Sequence, residues 1–156
     1  MTFERDNHLS IAASDSLQIR KAGAHIFTIS TAINVAANAI QFTGHTSKNE
    51  QVNIRIYHLN NDGTKNNIGI NKIQDLMSHL NYDRVEASAD GHYKAFENIE
   101  IGALCDISIN RGFVNLQLIS WFDAHTLQTP WEKEKGIEAS FVKNKLLVMD
   151  LNHESA

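Results

Sequence analysis

Residues 99–121 read IEIGALCDISINRGFVNLQLISW, and this stretch decides the fold. Ile99, Ile101, Ala103, Cys105, Ile107 and Ile109 fall at every second position. Strand side chains alternate between faces, so these residues share one face. Asn110, Arg111 and Gly112 break the run, and Gly112 suits the left-handed position of a three-residue hairpin loop. Val114, Leu116 and Leu118 then continue one face, with Phe113, Ile119 and Trp121 on the other. The pattern predicts a long antiparallel hairpin. Apolar residues on both faces of its second strand place it centrally in the fold.

The flanking sequence has the same texture. Val52, Ile54 and Ile56 face one way, with Asn53, Arg55 and Tyr57 opposite, which predicts another strand. Shorter alternations, Leu9 to Ala13 and Leu17 to Ile19, predict further strands, as do 24–30 and 33–42. Asp62-Gly63 and Lys21-Ala22-Gly23 read as turns, and 43–51 and 83–92 as loops. Ile137, Ala139 and Phe141 predict a last hairpin turning near Lys143-Asn144, with Leu147, Met149 and Leu151 returning.

One helix stands out, over about 71–82. Ile70, Ile73, Leu76, Met77 and Leu80 recur at helical spacing, with Asn71 as the expected N-cap and Asn81 as the stop. Residues 126–135 read as a polar loop holding Pro130 and Trp131. The expected fold is therefore mainly β: an antiparallel β-sandwich or barrel of about seven to nine strands with one amphipathic helix, forming a single domain over 1–156.

Composition narrows the function classes. The 156 residues carry 14 Lys plus Arg against 18 Asp plus Glu, a net charge of -4. Double-stranded nucleic acid is disfavoured, because such binders present a basic stripe. A small single-strand site gains no support from composition. Cys105 is the only cysteine, so no intrachain disulfide forms, and it reads as a buried small hydrophobe. Met1 to Ser10 carries charges before any apolar run, and no stretch suits a membrane span, so a cytoplasmic protein is expected. Export by a dedicated machine would leave no mark in such a sequence.

No stretch carries a cofactor or metal motif. The eight histidines show no ligand spacing. The Asn60–Thr64 region fails the calcium-loop template. Glu-x-Lys within 131–135 lacks the acidic strand that a nuclease needs, and neither Ser120 nor Ser140 sits in a nucleophile elbow.

Two clusters are candidates for binding. If the strand continues past Trp121, then Trp121, Asp123 and His125 share a face, where a carboxylate could orient an imidazole beside a stacking ring. His92 and Tyr93 follow the turn at Asp90-Gly91, and Trp131 offers a second indole. The candidate ligand-binding residues are thus Trp121, Asp123, His125, Trp131, His92 and Tyr93.

The expected function is a non-catalytic binding or self-assembling interaction protein, with itself or another protein as partner. A small-molecule or carbohydrate-binding barrel is the alternative. A small hydrolase or isomerase using Asp123 and His125 is the third reading.

Overall fold

The computed structural model describes residues 18–155, with side chains as far as Met149. The chain is mainly β. Five strands are present among the described residues: β1 (Gly23–Val35), β2 (Ala39–His45), β3 (Gln51–Tyr57), β4 (Ile99–Asn110) and β5 (Phe113–Phe122). Three α-helices accompany them: α1 (Asn67–His79), α2 (Pro130–Lys135) and α3 (Phe141–Ser155). A 3-10 turn, Lys94–Phe96, precedes β4. The expected seven to nine strands thus reduce to five here. The alternation expected over Leu9 to Ala13 and at Leu17 lies outside the described residues, and its last two residues form no strand: Gln18 makes only an isolated bridge to Gln51 and Ile19 is buried.

The strand order is β1-β2-β3-β5-β4. The long β1 is shared: residues 23–29 pair with β4, and residues 28–35 pair with β2. β3 meets β5 at a single parallel pair, Ile54 with Leu116. The inner faces bury Phe27, Ile29, Phe42, Val52, Ile54, Ile101 and Trp121 in one core cluster. Phe42 anchors it, 5.3 Å from Trp121 edge-on and 5.8 Å from Phe96.

The predicted hairpin is present, with two corrections. Arg111 and Gly112 both have positive φ, 54° and 82°, and Asn110 pairs directly with Phe113. The turn is therefore a two-residue loop of the kind that matches strand twist, not a three-residue one. The second correction is a bulge. Leu104 pairs with Ser120 but Cys105 pairs with Leu118, so Ile119 is the extra residue. One extra residue reverses the inside–outside parity of everything after it. Leu116 and Leu118 point inward, and so does Trp121, which the uninterrupted alternation would have put on the opposite face.

The predicted helix forms, shifted toward the N-terminus. Asn66, not Asn71, is the N-cap: its side chain accepts the backbone N–H of Gly69 at 3.1 Å. Asn81 does end it, with φ 59°. The helix lies close on β3, because a Cβ on Gly69 would stand 1.6 Å from the Tyr57 carbonyl oxygen. Leu76 is fully buried, and Ile73, Met77 and Leu80 pack against the core.

The last third departs most from expectation. Residues 130–135 form a short helix rather than a loop, opened by a capping box between Thr129 and Glu132 with Pro130 in its first turn. In place of the expected hairpin over 137–151, residues 137–140 are irregular and the helix α3 follows from Phe141. Val142 is buried against Leu104 and Phe122, and Leu146 and Met149 pack on the same cluster at helical spacing. The Ala36-Ala37 run is neither strand nor helix but a turn between β1 and β2, with both residues at positive φ.

Candidate functional site

The six sequence candidates do not converge. Trp121 is 1% exposed, and its Nε1 donates to the Lys72 carbonyl at 2.9 Å, so the indole is core and its one polar atom is satisfied. Asp123 begins a turn. Its Oδ1 accepts the backbone N–H groups of His125 and Thr126 at 2.8 and 2.9 Å, and Lys133 Nζ donates to Oδ2 at 3.2 Å. Desolvation pushes this carboxyl up, but the donors from Thr126, His125 and Lys133 outweigh it, so its pKa falls below the ordinary value. Asp123 thus meets the backbone of His125, not its ring. The exposed imidazole of His125 faces Glu100 instead, Nε2 to Oε1 3.5 Å. The shared face expected for Trp121, Asp123 and His125 is absent, because the bulge turned the indole inward and the chain turned at Asp123.

His92 and Tyr93 belong to the support of β1. His92 Nδ1 lies 2.8 Å from Glu97 Oε2, and that oxygen also accepts the Ala32 N–H at 3.0 Å. The Glu97 hydrogen bond raises the His92 pKa against a smaller opposing effect of burial. Glu97 is pushed up by desolvation but held below its ordinary value by His92 and the Ala32 N–H. Tyr93 donates its N–H to the Ala32 carbonyl at 2.7 Å and stacks on Phe96. His92 and His125 therefore answer to different carboxylates.

Trp131 is 60% exposed and lines a groove of about 560 Å³ between α2 and α3, with Pro130, Phe141 and Val148 as its other apolar walls. The floor is structural. Glu132 is buried, its Oε1 accepting from the Thr129 N–H and hydroxyl and its Oε2 from Ser140 and the Phe141 N–H.

A second groove, about 730 Å³, contains none of the sequence candidates. It opens where β3 and β5 diverge from their one parallel pair. Its walls are the outer faces of β2 and β3 (Gln41, Asn53, Arg55, Tyr57), the start of α1 with Lys72, and the polar face of the β4–β5 hairpin (Ser108, Asn110, Asn115, Gln117). Arg55 donates from Nη2 to Gln41 Oε1 at 2.7 Å, which fixes the guanidinium along the outer face of β2 and β3. Lys72 Nζ donates to the Leu118 carbonyl across the gap, and burial lowers its pKa. The groove's charged walls are both basic; no carboxylate lines it. The polar alternation opposite Val52, Ile54 and Ile56 was the one sequence signal for it.

Cys105 is fully buried, and burial pushes its thiol up to about 12, which makes it inert as a nucleophile. Among the described residues no three His, Cys, Asp or Glu side chains gather as a metal site, and no helix is long and apolar enough to cross a membrane. No protein-family model matches the chain, and no curated protein matches it as a relative.

Proposed function

We propose that this is a non-catalytic binding domain whose sheet is a closed five-stranded barrel and whose ligand is a single-stranded nucleic acid lying in the β3–β5 groove. The observation that carries this is the groove's wall chemistry. In a chain of net charge -4, its charged side chains are Arg55 and Lys72 alone. The wall's Asn and Gln amides can meet sugar hydroxyls or base edges alike, so the two cations carry the choice of an anionic ligand. An anionic chain is met by fixed cations, and Asn and Gln amides can read base edges. Tyr57, 45% exposed, adds a stacking face.

Fold analogy supports a binding barrel. The strand order, with a helix between the third and fourth strands, resembles small Greek-key barrels that bind oligonucleotides and oligosaccharides across strands 2 and 3 and the adjoining loops. Analogy of fold alone does not fix function, so the wall chemistry has to carry the choice.

Fluorescence anisotropy with labelled oligo-dT and oligo-rU tests this. Binding is expected at low salt, with a shallow salt dependence. Two neutralised phosphates give a slope of about -1.4 in log K against log[salt]. Arg55→Ala should weaken binding and flatten that slope by about 0.7. No binding of either oligomer, with binding of a neutral oligosaccharide instead, overturns the reading in favour of a carbohydrate-binding barrel.

Self-association is a second reading, favoured by a separate observation. Ile109 is 70% exposed, and Ile107 beside it on the same hairpin face is also exposed. A second copy could cover them, and light scattering decides whether one does.

A further inference from the structure

The β4–β5 hairpin runs past the rest of the sheet. β4 pairs with β1 only as far as Cys105, and β5 meets β3 only at Leu116, yet the two strands stay paired to Asn110 and Phe113. Residues 108–115 therefore form a two-stranded ribbon beyond the pairings with β1 and β3. Its polar side chains Ser108, Asn110 and Asn115 line the groove. At its tip stands Phe113, 71% exposed, cross-strand from Asn110 and on the same face as Asn115. A phenyl ring that exposed contributes little to folding, and a two-residue turn would tolerate a polar residue beside it.

The exposed ring that itself lines the groove, Tyr57, stands at the opposite end. The Ile54–Leu116 pair fixes the relation of the two strands, which are parallel. That register sets Gln51 level with Phe113, and Tyr57 lies six residues further along β3. At about 3.3 Å per residue the two positions are offset by about 20 Å along the direction of β3. Arg55 lies between them on the same outer face of β3 as Tyr57, and Lys72 on α1 reaches the same gap.

We propose that Tyr57 and Phe113 are the end posts of the groove, each stacking one base, and that their spacing sets the length of strand the domain holds. This rests on the nucleic-acid reading above. A stacked strand advances about 3.4 Å per nucleotide, so about 20 Å holds about six steps. Splayed bases advance further and need fewer. The occupied length is thus about four to seven nucleotides, at the lower end of the range of about 4–16 for such domains. Binding is sequence-tolerant at the posts, because every base has a stacking face.

The test is a length series, oligo-dT from two to twelve nucleotides, titrated against the full chain and against Phe113→Ala, Phe113→Trp and Tyr57→Ala. Both rings are exposed, so circular dichroism should show each variant folded. Affinity of the unaltered protein should climb steeply to about four to seven nucleotides and then level. Phe113→Ala should lose about tenfold on an eight-nucleotide strand but little on a three-nucleotide one, which cannot reach both posts. Phe113→Trp should restore the long-strand affinity. If Phe113→Ala and Tyr57→Ala bind eight nucleotides as the unaltered chain does, or if affinity levels at a length unrelated to the spacing, the end-post proposal is overturned while the groove stands. If the unaltered chain binds no strand of any length, the groove reading itself falls.

Discussion

The Oε2 of Glu132 accepts the backbone N–H of Ser140 at 2.8 Å, and so one buried carboxylate ties helix α2 to the start of helix α3. The other oxygen closes the cap on Thr129. Desolvation alone would raise this carboxyl, but the donors from Thr129, Ser140 and Phe141 win and hold its pKa at about 2. Glu132→Ala leaves those buried N–H groups without an acceptor and should cost about 3 kcal/mol in urea unfolding. Thr129→Ala removes only the cap and should cost about 1 kcal/mol.

The same carboxylate gives an acid limit. Its pKa is lowered on folding, so its contribution is fully present above the unfolded value near 4.5 and is lost as pH falls toward 2. Unfolding free energy should drop over that window in the unaltered protein, and the drop should be smaller in Glu132→Gln. Parallel curves for the two proteins would remove Glu132 from this role.

The His92–Glu97 pair acts in the opposite direction at higher pH. His92 is raised above its ordinary 6.5, so its share of stability is present below that value and is lost as pH rises through the folded pKa. His92→Gln should flatten the pH dependence of thermal stability on the alkaline side of 6.5. An NMR titration placing His92 below 6.5 would contradict the assignment.

Much of the sheet is legible in the sequence, and the reasons are local. Strict period-2 alternation on either side of Arg111-Gly112 allows only a hairpin, and it forms with β4 and β5 bounded nearly as expected. Helix α1 is equally legible from Ile73, Leu76, Met77 and Leu80. The bulge at Ile119 is not, because an extra residue has no signature in an apolar run, and it carries Trp121 from a candidate binding face into the core. Helix α3 is hidden for another reason. Leu147, Met149 and Leu151 alternate as a strand would, and the contact that starts the helix comes from Glu132, eight and nine residues upstream of Ser140 and Phe141. The groove draws on Gln41, Arg55, Lys72 and Asn115, which only the pairing of distant strands assembles.

Close approach of α1 to the sheet gives a further expectation. Gly69→Ala would drive a Cβ into the Tyr57 carbonyl, which is backbone and cannot swing away. The substitution should destabilise the protein by about 3 kcal/mol, read by urea unfolding. Because α1 carries Lys72, it should also weaken oligonucleotide binding in the protein that remains folded. A neutral effect on both would mean that the helix does not sit this close.

The central claim is that the β3–β5 groove is the binding surface. Its most direct test is NMR titration of isotopically labelled protein with an eight-nucleotide oligo-dT. The account predicts that the amide signals of Gln41, Asn53, Arg55, Tyr57, Asn115 and Gln117 move together and saturate. The exposed Trp131 indole, on the far groove between α2 and α3, should stay in place. Shifts centred on Trp131 and Phe141, or no shifts at any concentration, would contradict it.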